Sequence, residues 1–219
     1  MSVALSFYNK HGITVCADRR IITCVNANEN TKDSFVLTDS EQKLFSIMDK
    51  FALTFSGTAS FRGVPTSFII CDYIDRFNLT SLTPSELILS LAKYIHGFHC
   101  NDNDNCVLIL SGYHAGSPFI FSTGTQSPSV NTHIDQSVLS SLAYSGESNI
   151  LDVFLKSDSV KYDYGNFTMQ DAVDFLRFLV RTTSEWQRFQ QGIQSVSPEC
   201  DIICITPNNL CWVSCQSLH

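Results

Sequence analysis

The sequence predicts an α+β fold, a four-layer αββα sandwich in which two β-sheets lie between two layers of helices. The first observation is that strand-like and helix-like segments occur in alternating pairs along the chain. The second is that apolar residues recur at helical spacing in the helix-like segments, so each helix has one face that must be covered. Two sheets between two helical layers are the economical arrangement for this order of elements.

The individual elements are predicted from periodicity and from the residues that begin and end them. Alternating or short apolar runs indicate strands over residues 3–8, 13–18, 43–48, 51–56, 106–111, 118–122, 200–206 and 210–214. Apolar positions at helical spacing indicate helices over residues 59–77, 84–98, 147–156 and 168–190. Thr83 and Thr168 are the expected N-caps of the second and fourth helices, because a threonine hydroxyl can accept a hydrogen bond from the first turn.

Composition is typical of a single folded domain that spans residues 1–219. Of the 219 residues, 44% are hydrophobic and only 16% are charged, which argues against disorder. No run of 18 apolar residues occurs and no secretory leader is recognisable, so we expect neither membrane insertion nor secretion. The net charge of −7 and the lack of a basic stripe disfavour nucleic acid as a partner. Nine cysteines without a disulfide framework indicate a reducing, cytoplasmic location.

Four cysteines near the C-terminus raise the question of a zinc site. Cys200, Cys204, Cys211 and Cys215 follow one another at intervals of four or seven residues, mostly within predicted strands. This spacing fits small apolar side chains that face inward better than it fits the CxxC pairs typical of structural zinc. We therefore expect no metal and no cofactor.

Ser2 lies between Met1 and the first predicted strand. If Met1 is removed, the freed α-amino group, with a pKa of ~8, can accept the proton of the Ser2 hydroxyl. A small second residue permits that removal, and a serine in first position then needs no histidine as its base. Met-Ser also begins many ordinary proteins, so the dipeptide alone does not establish catalysis.

A series of motifs follows at characteristic spacing. Asp18 ends the second apolar run, Lys43 precedes the third, and Gly57 follows the fourth in the pair Ser56-Gly57. Together with Tyr144–Ser148 and the closing run Asp201–Thr206, this series resembles the proteasome β-subunit superfamily of N-terminal nucleophile hydrolases. The match has no gap between Ser2 and Asp18, and the family spacing holds again from Lys43 to Gly57. The resemblance covers nearly the whole chain and implies the αββα sandwich.

The resemblance also implies roles for four residues. Ser2 matches the N-terminal threonine nucleophile of the family. Lys43 would lie beside it, with its ammonium favouring loss of the hydroxyl proton, and Asp18 would hold Lys43 charged and oriented. Gly57 would offer its backbone N–H to the developing oxyanion, and one such donor typically lowers the barrier by ~3 kcal/mol.

Further implications concern the surroundings of these residues. The resemblance places Phe45, Phe55 and Ala59 near the specificity pocket. The main insertion relative to the family falls within residues 24–39, a polar stretch that predicts an exposed loop or hairpin tip. In the family this region lies close to the substrate cleft, so the insertion either shapes the site or is a tolerated surface addition.

Two departures distinguish the chain from proteasome subunits. Glu147 stands where the family has a serine that contacts the nucleophile's amine, and residues 190–196 contain no match for a later aspartate that steadies the N-terminus. These features are more similar to the bacterial ancestral β-subunit (Anbu) group than to standard proteasome β-subunits.

Two interpretations remain open. The chain is either an amide-bond hydrolase, which acts on a peptide or protein substrate through an acyl-enzyme on Ser2, or a catalytically inactive structural subunit. In the second case Lys43 and Asp18 form only a structural ion pair. Under either interpretation the family implies a homo-oligomeric ring, with an ATP-dependent unfoldase as a candidate partner.

Overall fold

The computed structural model describes residues 2–28, 31–101, 103–134, 139–157 and 161–214, and between residues 24 and 33 it describes the backbone alone. In chain order the strands are β1 (Val3–Asn9), β2 (Gly12–Asp18), β3 (Ile21–Asn28), β4 (Thr31–Thr38), β5 (Leu44–Ile47), β6 (Phe51–Gly57), β7 (Ser60–Phe61), β8 (Val64–Pro65), β9 (Cys106–His114), β10 (Ser117–Gly124), β11 (Asn131–Thr132), β12 (Ser140–Gly146), β13 (Cys200–Thr206) and β14 (Asn209–Ser214). The α-helices are α1 (Thr66–Arg76), α2 (Pro84–His96), α3 (Asn149–Leu155) and α4 (Met169–Gln187). The fold is thus mixed α+β, as predicted.

Two five-stranded antiparallel sheets form the centre of the fold. The first has the order β12-β1-β2-β13-β14, and the second has the order β11-β10-β9-β6-β5. Every residue of β2 is buried, because this strand lies between β1 and β13 and is covered on both faces. Such a strand loses the polar–apolar alternation of a sheet with one face in water.

Apolar clusters show what each sheet face packs against. One cluster joins α1 and α2 to the second sheet through residues such as Leu91 and Leu108. Another joins α3 and α4 to the first sheet through residues such as Leu176 and Leu5. Two smaller clusters lie between the sheets and combine residues from both. One of them contains Val15 of the first sheet and Leu44 of the second. Each fully buried aliphatic side chain contributes roughly 1.5–3 kcal/mol to folding.

Helix starts follow the expected capping residues. Thr83 and Thr168 cap α2 and α4, and each is part of a capping box with an acidic residue three positions on, Glu86 or Asp171. Both N-cap predictions are confirmed. In each box the threonine hydroxyl accepts a backbone N–H of the first turn while the carboxylate accepts the N–H of the threonine.

The predicted start of the first helix is wrong. Residues from Ser60 to Pro65 form the short β7–β8 ribbon instead, and α1 begins at Thr66 with Pro65 as its N-cap. The reason is that a residue before proline is disfavoured in the α conformation, so Val64 is extended. Arg62 and Gly63, both at positive φ, make the intervening turn.

The insertion is a hairpin. β3 and β4 pair with each other and belong to neither five-stranded sheet. On β4 three consecutive apolar residues, Phe35, Val36 and Leu37, are exposed. Exposure of consecutive residues means that both faces of the ribbon are open to solvent. Most of residues 24–39, predicted to be an exposed loop or hairpin tip, is thus strand, and the tip at residues 29–30 lies outside the described residues.

Among the helices of the described ranges, none has the length and apolar character needed to cross a bilayer.

Candidate active site

Three of the four predicted site residues meet at one end of the two sheets. Ser2 precedes β1, Asp18 ends β2 in the same sheet, and Lys43 precedes β5 in the other sheet. The Lys43 ammonium donates a hydrogen bond to the Ser2 hydroxyl oxygen, with 2.9 Å between Nζ and Oγ. It also pairs with Asp18, with 3.1 Å between Nζ and Oδ1. The predicted nucleophile, cation and carboxylate thus form one continuous hydrogen-bonded group.

Lys43 is enclosed by acceptors. Its side chain is 1% exposed, and its Nζ faces three oxygen atoms, from the Ser2 hydroxyl, the Asp18 carboxylate and the Arg20 carbonyl. An ammonium group has three N–H donors and no acceptor, so the three oxygens satisfy it completely. Because the Ser2 oxygen accepts from Lys43, the hydroxyl proton is directed elsewhere and is available to a base on another side.

Asp18 is fully buried and fully hydrogen-bonded. Besides Lys43, its Oδ1 accepts the Val3 N–H at 2.9 Å, and its Oδ2 accepts the N–H groups of Arg20 at 2.9 Å and Ser197 at 3.3 Å. A buried carboxylate needs such donors to offset its lost hydration. Four donors from different parts of the chain therefore fix the orientation of the carboxylate that holds Lys43.

Ser197 is a residue of this site that the sequence analysis missed. Its backbone N–H contacts Asp18, and its hydroxyl accepts the Arg19 N–H at 3.1 Å and donates to the Glu199 carbonyl at 2.6 Å. The hydroxyl thus fixes the loop before β13 so that the N–H points at Asp18. No sequence signal marks it, because a backbone donor leaves no trace in residue identity.

The backbone of Ser2 is held by the end of β12. The Ser2 carbonyl accepts the N–H of Glu147 at 2.8 Å. Gly146 has a φ of 104°, and a Cβ atom built there would lie 1.7 Å from the Ser2 carbonyl oxygen. Only glycine permits this approach, so the glycine of the predicted Ser145-Gly146 motif serves the position of the nucleophile directly.

Gly57 lies at the exposed end of β6, next to the same group. The Phe55 N–H donates to the Lys43 carbonyl at 3.3 Å, and the N–H of Gly57, two residues on, points to the same edge. Glu41 would pair with Gly57 if β5 continued backwards, but its N–H donates to the Arg19 carbonyl at 3.1 Å. The chain before β5 thus leaves the sheet before it reaches the position opposite Gly57. The Gly57 N–H at this open edge is suited to donate a hydrogen bond to a substrate oxygen.

The residues implied for the specificity pocket have different surroundings. Phe45 and Phe55 are buried with their rings stacked at a centroid distance of 6.4 Å, inside the apolar cluster beneath α1 and α2. Ala59 is partly exposed. Of these three side chains, Ala59 is the one with surface to offer a substrate.

The base of the β3–β4 hairpin adjoins Lys43. The Arg20 guanidinium binds the Asp39 carboxylate with two contacts of 2.6 and 2.9 Å and donates to the Gln194 carbonyl at 3.0 Å. Hydrogen bonding from Arg20 holds the pKa of Asp39 below its ordinary value. The same residue, Arg20, accepts the third hydrogen bond of Lys43 through its carbonyl.

The segment 190–196, which lacks the family's aspartate, still reaches this region through its backbone. The backbone carbonyl of Gln194 accepts a hydrogen bond from Arg20. The side-chain amide of Gln194 donates to the carbonyl of Ser184 at 2.8 Å. Gln187 in turn accepts the N–H groups of Ser195 and Val196. The side-chain amides of Gln194 in this segment and of Gln187 on α4 thus hold the loop against α4, and the Gln194 carbonyl supplies the contact to Arg20.

Two cavities lined by described residues lie elsewhere, at the hairpin-turn end of the sheets. One, of about 670 Å³, is lined by residues that include Tyr8, His114 and Phe119, and the other, of about 510 Å³, by residues that include Lys50 and Pro207. The charged group at Ser2 lies at the opposite strand ends, away from both cavities. Within the described ranges, no three His, Cys, Asp or Glu side chains are arranged to hold a metal ion.

The four C-terminal cysteines, which we predicted not to bind zinc, differ in how far they are buried. Cys200 and Cys204 pack into the apolar cluster beneath α4, as expected of small inward-facing side chains. Cys211 is exposed, which that expectation did not foresee, and Cys215 lies outside the described residues.

A solved structure titled Anbu, from Hyphomicrobium sp. strain MC1, matches this chain with a TM-score of 0.61 at 14% sequence identity. The match covers 92% of this chain and 81% of the Anbu chain. The chain has the fold of Anbu. The resemblance predicted from the motifs, to the proteasome-like ancestral β-subunit, is confirmed at the level of the fold. No protein-family model matches the sequence, and no curated protein does.

Within this Anbu-like fold, replacing Gly146 with alanine is expected to displace Ser2. The added Cβ would meet the Ser2 carbonyl, in addition to a backbone strain of about 1–3 kcal/mol at positive φ. Gly116→Ala is the matched control, since Gly116 also has positive φ but a Cβ atom added there would have nothing within 4 Å. We expect the melting temperature to fall more in Gly146→Ala than in Gly116→Ala. Equal decreases would show that the contact with Ser2 is unimportant.

Proposed function

We propose that the chain is a proteasome-like N-terminal nucleophile hydrolase that cleaves amide bonds in peptide or protein substrates, through an acyl-enzyme on Ser2 after removal of Met1. The observation that carries the proposal is the contact of Lys43 Nζ with both the Ser2 hydroxyl and the buried Asp18 carboxylate. An ion pair needed only for stability has no requirement for a hydroxyl at that position. The Anbu-like fold supports the same reaction class by analogy.

The proposed reaction begins with proton transfer from the Ser2 hydroxyl to its own α-amino group. Ser2 Oγ then attacks the carbonyl carbon of the substrate, and the carbonyl oxygen becomes an oxyanion that accepts the Gly57 N–H. The Lys43 ammonium stabilises negative charge on Oγ as the proton leaves. The α-ammonium returns its proton to the leaving amine as the amide C–N bond breaks, which produces an ester on Ser2.

Hydrolysis of the ester repeats these steps with water. The α-amino group accepts a proton from the water molecule, whose oxygen attacks the ester carbonyl. The tetrahedral intermediate then expels Ser2 Oγ, which recovers the proton, and the carboxylic acid product leaves. In this scheme Asp18 keeps Lys43 in position and undergoes no bond change itself.

A catalytically inactive structural subunit is the second candidate function. The observation that favours it is the completeness of the Asp18 and Lys43 hydrogen bonding, which would stabilise the junction of the sheets without any reaction. The two functions differ in the fate of Ser2, which is reactive only in the first.

The proposal includes a setting for this activity. We infer a single domain over residues 1–219 with the four-layer αββα arrangement, which the apolar clusters on both faces of each sheet support. We also infer a homo-oligomeric ring in the cytoplasm, with an ATP-dependent unfoldase as a candidate partner. Exposed apolar side chains on or beside α3 and α4, namely Val153, Phe178, Trp186 and Phe189, offer surface for contacts between copies.

Labelling of Ser2 tests the enzymatic function. A β-lactone or epoxyketone probe is expected to modify the native protein on Ser2 and to leave Ser2→Ala unmodified, with mass spectrometry locating the adduct and the first residue. Ser6→Ala is the control, because Ser6 lies on the same strand and its buried hydroxyl bonds only Ser111 in the interior. Labelling that persists in Ser2→Ala would refute the assignment of the nucleophile.

Lys43 variants separate the two candidate functions. Lys43→Ala leaves the buried Asp18 charge without its partner, which typically costs about 3–5 kcal/mol of stability. We expect it to abolish probe labelling, and Lys43→Arg to do so as well, because a planar fork does not replace a compact ammonium. Adding Asp18→Asn is expected to restore part of the stability and none of the labelling, since it removes the unpaired buried charge and its single oxygen still accepts some of the backbone N–H groups.

The control for these variants is Lys156→Ala, which removes an exposed lysine that pairs with Asp152. It should change neither the melting temperature nor the labelling appreciably. Labelling that survives in Lys43→Ala would mean that Lys43 has only the structural role.

Assembly is tested by size-exclusion chromatography with light scattering. We expect a mass several times that of the 24.5 kDa chain. Trp186→Glu places a charge on the exposed apolar surface of α4 and should lower the mass, whereas Gln170→Glu at an exposed position of the same helix should not. A monomer for the unmodified chain at micromolar concentration would contradict the proposed ring.

A further inference from the structure

Glu147 occupies a position directly opposite the nucleophile. Val3 on β1 pairs with Gly146 on β12, and the next residue on each strand brings Glu147 opposite Ser2. The Glu147 N–H donates to the Ser2 carbonyl at 2.8 Å, which shows that the pairing continues to this point. Residues directly opposite in an antiparallel pair have Cβ atoms roughly 4.5–5.5 Å apart. The Glu147 side chain is therefore long enough for its carboxylate to reach Ser2.

Glu147 is largely buried, and its side chain has no partner among the described residues. Glu147 is 6% exposed, and none of the hydrogen bonds or ion pairs among the described residues involves its side chain. Asp18, which is buried nearby, has four donors by comparison. A carboxylate on a largely buried residue is stabilised by a cation or a hydrogen-bond donor, because burial removes part of its hydration.

The charged groups already at the site are engaged elsewhere. The Lys43 ammonium has its three acceptors, the Asp18 carboxylate has its four donors, and the Arg20 guanidinium binds Asp39 and the Gln194 carbonyl. The neighbouring hydroxyls of Ser56 and Ser145 bond each other at 2.6 Å. None of these groups is hydrogen-bonded to the Glu147 carboxylate, which leaves it without a cationic partner among the described residues.

Removal of Met1 would supply that partner. The α-amino group freed at Ser2 is a cation in its protonated form, and it would appear on the residue that Glu147 faces. We propose that Glu147 is the ion-pair partner of the Ser2 α-amino group and positions this group beside the Ser2 hydroxyl. The inference rests on the proposed function only in requiring Ser2 as the first residue.

The consequence is a shift in the pH range in which the amine is a base. An opposite charge favours the charged form of a group, so Glu147 makes the pKa of the Ser2 α-amino group higher than it would be with a neutral residue at position 147. The fraction of neutral amine at pH 7 falls accordingly. A serine at this position, as in proteasome subunits, would hydrogen-bond the amine without this charge effect. Glu147 thus moves the onset of Ser2 reactivity to higher pH.

Carbamylation by cyanate measures this pKa without requiring hydrolysis. The chain is produced as a fusion whose removal leaves Ser2 first, and the rate of cyanate addition to the Ser2 amine is followed by mass spectrometry as a function of pH. Only the neutral amine reacts, so the midpoint of the rate profile reports its pKa. We expect the midpoint to fall by about 0.5–1 pH unit in Glu147→Gln and in Glu147→Ser.

Glu185→Gln is the matched control, because Glu185 is exposed and pairs with Arg188 on the surface of α4. Its midpoint should equal that of the unmodified chain. Midpoints that agree within about 0.2 pH unit between the unmodified chain and Glu147→Gln would overturn the inference. If Glu147→Gln does not fold, as judged by its melting curve, Glu147→Ser gives the same comparison with the family's own residue.

Parallel probe labelling distinguishes this inference from the proposed function. If both hold, Glu147→Gln is labelled at pH 7 about 3–10 times faster than the unmodified chain, in line with its lower amine pKa. A shifted carbamylation midpoint without any labelling supports the ion pair and refutes the hydrolase. Labelling of Ser2 with an unshifted midpoint supports the hydrolase and refutes the ion pair.

Discussion

The buried ion pair between Asp18 and Lys43 is the interaction on which this end of the molecule depends. Asp18 belongs to the first sheet and Lys43 to the second, so the pair joins the two sheets where their strands end. A carboxylate with no exposed surface must find donors from the protein, because water is excluded. The backbone N–H groups of Val3, Arg20 and Ser197 meet that need and thereby fix three separate chain segments around one side chain.

The position of Ser2 follows from this arrangement and from backbone contacts. Its hydroxyl is bound by the ammonium that Asp18 orients, and its carbonyl is bound by the N–H that follows Gly146. The close approach of Gly146 to the Ser2 carbonyl is possible because glycine has no Cβ. Two hydroxyl pairs join the first sheet to the second, Ser145 on β12 with Ser56 on β6 and Ser6 on β1 with Ser111 on β9. The nucleophile is thus held on a rigid strand, which is the condition for productive geometry.

Much of this could be predicted from sequence because the decisive residues are side chains at fixed spacing. The chemical role of a charged or hydroxyl side chain can be predicted from its identity, as for Ser2, Asp18 and Lys43. The apolar patterns of β1, β2 and β6 likewise predict these strands. Ser197 was missed since it acts through its backbone across 179 positions of separation from Asp18. The strand β12 was missed for a different reason, because the run Ser140–Gly146 is rich in serine and only half buried.

The errors at helix boundaries have local causes. Proline is compatible with the first turn of a helix, which allowed the prediction of a helix that contained Pro65. Pro65 lies instead at the helix start as the N-cap, with an extended residue before it. The burial of Phe45 and Phe55 could not be foreseen from spacing either, since it depends on how α1 and α2 cover the second sheet. Helix boundaries and side-chain burial of this kind are decided by tertiary packing, which depends on many residues of the chain together and not on local sequence.

The β3–β4 hairpin has a consequence for redesign of the protein. Its base is bound at Arg20 and Asp39, and in the described backbone its two strands pair with each other and with neither central sheet. Residues beyond the base can therefore be exchanged for other ribbon sequences without altering the ladder of either central sheet. The exposed strand β4, with Phe35 to Leu37 in contact with solvent, is then a natural position for grafting a loop of new length or recognition chemistry close to Lys43. Arg20 and Asp39 mark the boundary at which such a graft should stop.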